Sequence, residues 1–398
     1  MKNIISRRQF LKAAGVSAVA ATSASMMTAC SSGAAGDDEI AVGLLGPKTG
    51  DVSVYGISVM NGANLYFNEV NAAGGVNGKQ LVIVEKDEQG DETQAVTCFT
   101  QMVDEGIVGL VGDVTTTPTL AVVAESQAYN MPMVTASATA ASVTYDEETG
   151  TVWENVYRST FIDPFQGTKM ADYAFEVLGM TQVAIIAENA ADYQQGLATS
   201  FQAEFEALGG TITSVQGYAT GDVDYKAQLT TIQSTNPDGV YCPNYYEQVG
   251  SILTQAREIG LDVPFMGGDG WDGVSNEGAQ YASADALTDC YFCANYAAGA
   301  SEAFESAYLD TYGSVYPNGF APLGYDAAMT LVAGIEAAEA AGAEVGSDEY
   351  KQAIIDGIDV ATIEGVTGTF TFDEYNNPIK TASIITFIDG VATYVENY

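Results

Sequence analysis

Residues 40–85 read IAVGLLGPKTGDVSVYGISVMNGANLYFNEVNAAGGVNGKQLVIVE. The apolar run Ile40–Leu45 predicts a buried strand, and Val54–Ala73 has the apolar spacing of a helix. That helix is expected to end at Gly74 and Gly75, because glycine readily adopts the left-handed backbone that closes a helix. Leu81–Glu85 predicts a second strand. A strand, a helix and a strand in this order predict two parallel strands joined by a crossover helix.

The same alternation continues along the chain and starts again after Arg158. The further predicted strands are 107–111, 133–135, 182–187, 211–216, 239–241 and 264–266. The further predicted helices are 92–105, 120–129, 167–178, 195–208, 225–234 and 248–259. Continuous apolar strands separated by helices favour parallel sheets that are covered on both faces. We therefore predict an α/β fold with two doubly wound halves.

The C-terminal part follows a different pattern. Three helices are predicted at 301–312, 323–340 and 347–356, followed by strands at 368–372, 383–388 and 391–395. Asp389-Gly390 between the last two strands predicts a hairpin turn. This part does not continue the rhythm of either half.

The N-terminus is built like an export signal. Lys2, Arg7 and Arg8 precede a small apolar stretch, and the run containing the two arginines resembles a twin-arginine signal. Met27-Thr28-Ala29-Cys30 resembles a lipoprotein cleavage site, so we expect residues 1–29 to be removed and Cys30 to carry lipid. Residues 30–38 would then form a flexible tether. The alternatives are an uncleaved membrane anchor and an ordinary signal followed by a plain cysteine.

Composition argues against several classes of function. The chain has 13 Lys and Arg against 52 Asp and Glu, a net charge of −39, which disfavours nucleic acids and anionic lipid surfaces as partners. Its lack of histidine removes the commonest general base and zinc ligand. Cys290 and Cys293 lie three apart in an extended run and should point to opposite faces, so we expect buried thiols, with a disulfide between them as the alternative.

Hydroxyl, aromatic and acidic side chains follow the predicted strands. In open parallel sheets, ligands bind beyond the carboxyl ends of the strands, so these side chains should share one edge. Hydroxyls and helix amides can bind a carboxylate, whereas an acid with tyrosine faces can bind an ammonium group. The pattern predicts a site for a small zwitterion. Helix capping by Ser and Thr, and core packing by Tyr, are the alternative explanations. The candidates at this edge are Tyr55, Thr115, Thr116, Ser137, Ala138, Thr139, Tyr193, Tyr245, Asp269 and Trp271.

Catalytic motifs are scarce. Gly268–Gly273 matches G-x-G-x-x-G, but two aspartates and a tryptophan within it would repel or block a phosphate group. There is no nucleophile elbow and no P-loop. We expect neither an enzyme nor a protein with a cofactor or a bound metal.

Several segments in a fixed order resemble one known family. They are 41–56, 61–63, 69–78, 112–116, 131–139 and 264–270. Together they resemble the extracellular solute-binding proteins of ABC transporters, in the branched-chain amino acid (leucine/isoleucine/valine) group. The resemblance covers nearly all of the chain after the tether.

The resemblance implies a type I periplasmic binding protein fold. Two Rossmann-like lobes with parallel central sheets would be joined by a three-strand hinge, with the ligand cleft between them. Lobe 1 would be 39–157 plus 293–373, and lobe 2 would be 158–292 plus 374–398. The C-terminal helices would then complete lobe 1, and the last strands would return to lobe 2.

The resemblance also implies roles for single residues. Thr116, Ser137 and Thr139 match the positions that hold the ligand carboxylate and part of its ammonium group. Tyr193 matches a tyrosine of the facing lobe, and Asp269 stands where the family commonly has a glutamate that pairs with the ammonium. The side-chain pocket would be formed by Tyr55, Tyr245, Trp271 and Tyr325. A disulfide of the family is absent, because Gly90 and Thr115 occupy its two positions.

The implied function is capture of a small amino acid, branched-chain or otherwise apolar, by hinge closure. The partners would be the ligand, the permease subunits of an ABC transporter and the membrane through the lipid on Cys30, with no nucleic acid, and we expect a monomer. The alternatives are another solute (a small amide, a peptide, an aromatic acid or a nucleoside), a sensory module and an extracellular hydrolase.

Overall fold

The computed structural model describes residues 38–275, 281–314 and 318–398. Cys30, the export signal and most of the tether lie outside them. The strands are β1 Glu39–Gly46, β2 Gln80–Asp87, β3 Leu110–Val111, β4 Met133–Thr135, β5 Tyr145–Asp146, β6 Thr151–Val152, β7 Val156–Arg158, β8 Gln182–Glu188, β9 Thr211–Tyr218, β10 Gly239–Tyr241, β11 Phe265–Gly267, β12 Cys290–Ala294, β13 Ile363–Gly365, β14 Gly368–Phe370, β15 Ser383–Ile388 and β16 Val391–Asn397. The α-helices are α1 Ser53–Ala72, α2 Glu92–Asp104, α3 Thr116–Ser126, α4 Asp163–Asp172, α5 Asp192–Ala207, α6 Lys226–Ser234, α7 Tyr246–Glu258, α8 Glu302–Tyr312, α9 Phe320–Ala341 and α10 Asp348–Asp359.

The first sheet has five parallel strands in the order β2-β1-β3-β4-β7. Its register places Ile40 beside Leu81 and Leu44 beside Val111. Residues Ile40–Gly46 of β1 are all buried, as expected for a strand with helices on both faces. The predicted parallel pair of β1 and β2 is confirmed.

The second sheet has seven strands in the order β16-β15-β12-β11-β10-β8-β9. The strands from β12 to β9 are parallel, and β15 and β16 are antiparallel additions. Asp389 and Gly390 join β15 to β16 with φ angles of 51° and 80°. Two positive φ angles are what a tight two-residue hairpin requires, so the predicted turn is confirmed.

The chain crosses three times between the two sheets. It leaves the first sheet after β7, returns after β12, and crosses again between β14 and β15. Hydrogen bonds tie the crossings together, since the Asn295 side chain donates to the Thr160 hydroxyl at 2.9 Å and the Lys380 ammonium donates to the Ser159 carbonyl. The fold is the predicted pair of doubly wound α/β lobes.

Helix α9 lies on the first sheet and packs tightly against α1. A Cβ atom at Gly62 of α1 would lie 1.8 Å from the Ala321 carbonyl oxygen, and one at Gly324 of α9 would lie 2.1 Å from that of Val59. Glycine at these two positions therefore allows the helix backbones to touch. This contact fixes the C-terminal helices to the first lobe.

Some element boundaries differ from the sequence prediction. α3 begins at Thr116 rather than Leu120, and α4 begins at Asp163 rather than Gly167. Proline lies in the first turn of each helix, where its missing N–H has no intrahelical partner to lose. β12 pairs with its neighbours as far as Ala294, so we propose that lobe 2 extends past the predicted boundary at residue 292. The other lobe boundaries stay predictions.

Cys290 and Cys293 are both buried as free thiols, in different hydrophobic clusters on the two faces of the second sheet. This agrees with the expected opposite orientations. In the ranges described above, no helix has the length and apolar character needed to cross a membrane.

Candidate functional site

A small cavity lies between the lobes, where the carboxyl ends of the two sheets face each other. It is lined by Tyr55, Val114, Thr115, Ser137, Tyr193, Tyr245, Asp269, Gly270 and Phe320. The cavity volume that is open to the centre of a water molecule is only about 10 Å³. We therefore expect the lobes to part before a ligand of several heavy atoms can enter.

Tyrosine hydroxyls bond across the cleft. The Tyr55 hydroxyl, from α1 of lobe 1, donates to the Gly270 carbonyl of lobe 2 and accepts the Tyr246 N–H at 3.3 Å. The Tyr246 hydroxyl donates to the Asp51 carbonyl on the other side. These bonds hold the two lobes in a closed arrangement.

The first-lobe wall is formed by the loops after β3 and β4. The Ser137 hydroxyl donates to the Val114 carbonyl at 2.7 Å, so the two loops are bonded to each other. Thr115 precedes α3 but makes no side-chain capping bond, so helix capping does not explain it. The Thr116 hydroxyl is buried and has no hydrogen-bond partner within the described ranges, so it keeps an unused donor in this wall. The Thr139 hydroxyl, also buried, faces the Asp163 carboxyl and lowers its pKa.

A buried arginine supports this wall from behind. Arg158, the last residue of β7, donates to the carbonyls of Ala138 and Ala140 at 2.9 and 3.0 Å and to the Thr144 hydroxyl at 3.0 Å. Burial lowers the pKa of its guanidinium to about 10. Because these N–H groups are committed to the loop, we expect Arg158 to shape the wall and not to contact a ligand.

The second-lobe wall contains the only charged group among the cavity-lining residues of the described chain, Asp269. Its side chain is 3 % exposed, and burial raises the pKa of the carboxyl from 3.8 to about 6. Hydrogen bonds from Tyr193 and Gln166 oppose that rise, with donor–acceptor distances of 2.9 and 3.2 Å. The wall thus offers one acid that is ionised at neutral pH.

Aromatic rings close the rest of the cavity. Tyr193 and Tyr245 stack with ring centroids 4.8 Å apart and planes 13° from parallel. Tyr55 meets the Tyr245 and Phe320 rings edge to face, with centroids 5.7 and 4.7 Å apart. Such rings provide an apolar surface for a ligand side chain.

The structure brings six of the sequence candidates to the cavity wall. They are Tyr55, Thr115, Ser137, Tyr193, Tyr245 and Asp269. Thr116, Ala138 and Thr139 lie buried in the loops of that wall but do not line the space. Their roles in ligand binding stay predictions.

Trp271 and Tyr325 lie elsewhere. Trp271 is fully buried beneath the site, where its indole N–H donates to the Cys242 carbonyl at 2.8 Å. Tyr325 is on α9, where its hydroxyl donates to Glu69 at 2.6 Å and its ring packs on Tyr66. Neither residue is placed to line the side-chain pocket that the resemblance implies.

Sequence reasoning missed Phe320, Asp163 and Gln166. Phe320 begins α9 and comes from a remote part of the chain, so no local pattern marks it. Asp163 and Gln166 lie in the first turn of α4, both fully buried, and connect to Asp269. Asp163-Pro164 is a helix-start signal that could have placed both residues at the cleft.

The geometry defines a class of protein. Two α/β lobes, three crossings and a polar cleft between the lobes are the arrangement of a two-lobed protein that closes on a small ligand. The sequence profile of the family described as "Periplasmic binding protein" matches residues 39–390. The chain belongs to the periplasmic binding protein family.

Three relatives illustrate the similarity. The chain is 31 % identical to a Leu/Ile/Val-binding protein of Citrobacter freundii over 249 residues, 63 % of the chain and 66 % of that relative. This match spans slightly less than two thirds of the relative's length. The chain is also 31 % identical to the Leu/Ile/Val-binding protein BraC3 of Rhizobium johnstonii, over 82 % of the chain and 86 % of that relative. A solved structure, the branched-chain amino acid transporter substrate binding protein LivJ of Streptococcus pneumoniae in complex with isoleucine, has a TM-score of 0.79 and 32 % identity, covering 90 % of the chain and 99 % of LivJ.

Proposed function

We propose that the chain captures a small apolar L-amino acid between its lobes and delivers it to the permease of an ABC transporter. The observation that carries this proposal is the composition of the two cavity walls. One wall presents hydroxyls without a base, and the other presents a single buried acid, Asp269. A free amino acid carries a carboxylate and an ammonium group that match these two walls.

The similar proteins support the same ligand class. The Citrobacter and Rhizobium relatives are named for binding Leu, Ile and Val, and LivJ was solved with isoleucine. The aromatic rings of Tyr55, Tyr245 and Phe320 supply a wall for an aliphatic side chain.

We also propose that the protein works outside the cytoplasm as a monomer, tied to the membrane by a lipid on Cys30. The sequence around Cys30 supports the lipid, and the family membership supports the location. The protein would then bind its ligand beside the permease and need no catalytic group or cofactor.

A thermal-shift screen against the standard amino acids and a set of other small solutes tests the ligand class. A ligand that binds only the folded protein must raise its midpoint temperature. Stabilisation by one or a few apolar L-amino acids is the expected result, to be followed by calorimetric titration. A shift with an aromatic acid, amide or nucleoside, and none with any amino acid, would contradict the proposal.

A further inference from the structure

The first turn of α4 holds the acidic group of the site through a side-chain amide. The carbonyl oxygen of the Gln166 side chain accepts the Asp269 N–H at 3.0 Å. Its Nε2 donates to Oδ1 of Asp269 and to Oδ1 of Asp163, both at 3.2 Å. Both N–H groups of the amide and its carbonyl oxygen are therefore hydrogen-bonded. The reverse orientation would point the oxygen at two carboxylates, so the neighbours fix which end is which.

The Tyr193 side chain also forms hydrogen bonds with the Asp269 loop. Its hydroxyl donates to Oδ1 of Asp269 at 2.9 Å and accepts the Gly270 N–H at 2.8 Å. Oδ1 thus receives two side-chain hydrogen bonds from its own lobe, whereas no side chain in the described ranges donates to Oδ2. The backbone N–H groups of Asp269 and Gly270 also face the carboxyl and help to lower its pKa. Oδ2 is left as the oxygen that a ligand can use.

The glycines on either side of Asp269 leave room for the Gln166 amide and the Tyr193 hydroxyl. A Cβ atom at Gly268 would lie 2.8 Å from the Gln166 side-chain oxygen, and one at Gly270 would lie 2.7 Å from the Tyr193 hydroxyl. A Cβ at Gly196 of α5 would likewise lie 3.1 Å from Oδ2 of Asp163. The Gly268-Asp269-Gly270 segment, which resembles a phosphate loop in sequence, therefore clears space for an amide and a phenol.

We propose that Gln166 is a positioning residue for ligand selection, fixed by Asp163, which orients Asp269 so that only Oδ2 meets the cation of the ligand. The proposal rests on the proposed function, in that the cation is the ammonium group of an amino acid. One free carboxylate oxygen suits a primary ammonium group. A planar guanidinium or amidinium ion binds best to both oxygens at once, so such ligands are disfavoured.

The proposal makes the pH dependence of binding informative. Burial raises the pKa of Asp269 to about 6, and the hydrogen bonds from Tyr193 and Gln166 lower it. Removing the amide must raise this pKa further, so the ionised form that pairs with an ammonium would be lost at a higher pH. The titratable groups that face Asp269 are Asp163, Asp272, Tyr55, Tyr193, Tyr241, Tyr245 and Cys293. Burial raises the pKa of each of them, and that of Asp272 reaches about 7, so Asp269 and Asp272 both change charge between pH 6 and 8. The difference between Gln166→Met and the wild type isolates the part of the pH dependence that comes from the amide bonded to Asp269.

The test is the affinity of Gln166→Met for the best amino acid ligand, measured by calorimetry between about pH 6 and 8.5 beside the wild type. Methionine keeps the volume and removes all three hydrogen bonds. We expect roughly ten- to hundredfold weaker binding at pH 6, from loss of a hydrogen bond to a charged group, and a smaller deficit at pH 8.5. An equal deficit at every pH would assign Gln166 a packing role only and overturn the proposal.

Gln255→Met is the matched control. Gln255 also uses both ends of its amide, accepting the Tyr225 N–H at 2.7 Å and donating to the Val223 carbonyl at 2.8 Å, but away from the cavity. This variant should lose stability while keeping the affinity and pH profile of the wild type.

A second measurement separates this proposal from the proposed function. Carbon-13 labelled aspartate allows the Asp269 carboxyl to be titrated by NMR without any ligand. The midpoint of the Asp269 titration should move to higher pH in Gln166→Met, and an unchanged midpoint would overturn the positioning role of Gln166. If the wild type binds no amino acid but this midpoint moves, the ligand assignment fails and the positioning role stands.

Discussion

Asp269→Asn should separate ligand binding from folding. The substitution keeps the shape of the side chain and the oxygen that accepts from Tyr193 and Gln166, but it removes the charge. A bound ammonium group in this buried position would then lack its partner, which costs about 3–5 kcal/mol. Affinity should fall by roughly two to four orders of magnitude.

The same substitution should not weaken the ligand-free protein at neutral pH. Burial raises the pKa of Asp269 in the folded state from 3.8 to about 6. This group therefore adds stability below about pH 4, and that stability is lost as the pH rises through about 6. At higher pH the buried charge lowers the free energy of unfolding by roughly 3 kcal/mol. The asparagine removes this penalty, but its buried side-chain amide adds an N–H group without a partner at a cost of about 1–3 kcal/mol, so the two effects nearly offset.

Calorimetric titration and urea unfolding of the ligand-free proteins measure the two quantities. Glu339→Gln serves as a control, because Glu339 is a buried acid on α9 that pairs with Lys79 at 2.8 Å, far from the cavity. It should lose stability and keep its affinity. Wild-type affinity in Asp269→Asn would refute the assignment of the ammonium partner. A large loss of stability would refute the argument from burial.

Three further substitutions test other parts of the structure. Arg158→Met removes three buried hydrogen bonds and should lower both the free energy of unfolding, by about 2–4 kcal/mol, and the ligand affinity, measured by urea unfolding and calorimetry. Tyr325→Phe should leave affinity unchanged in the same titration, because its hydroxyl bonds to Glu69 and does not line the cavity, so weakened binding would contradict this placement. Cys30→Ser should release the protein from membranes in a fractionation assay without changing ligand affinity, and a variant that stays in the membrane fraction would rule out the lipid anchor.

The sequence predicts the fold well where local physics decides it. The apolar run of β1, the glycines after α1 and the Asp389-Gly390 turn each act within a few residues, so each could be assigned without knowing the rest of the structure. β13 was missed and β3 was predicted too long, because short strands are set by pairing with distant partners. α3 and α4 each begin four residues before the predicted start, because proline is tolerated in the first turn of a helix.

The site is less accessible to sequence reasoning. The rule that ligands bind at the carboxyl ends of strands selects Thr115, Ser137 and Asp269, because these follow strands directly. The same rule also selects Trp271, since it names a loop and not the direction of a side chain, and Trp271 turns into the core. Gln166 lies on a helix, so its role depends on how α4 packs against the loop after β11.

Within the described residues, no base lines the cavity, which suits the proposed capture of a ligand by closure of the lobes. A lysine or arginine facing Asp269 would pair with it in the ligand-free protein, and a bridge between the lobes would hold the cleft closed. Arg158 is a buried base behind that wall, and its two terminal nitrogens donate to the carbonyls of Ala138 and Ala140. The buried charge of Asp269 therefore has no cationic partner, and its Oδ2 atom accepts no side-chain hydrogen bond within the described residues. We expect the ammonium group of the ligand to provide the missing charge, so that the closed arrangement gains its full electrostatic stabilisation only when the cleft is occupied.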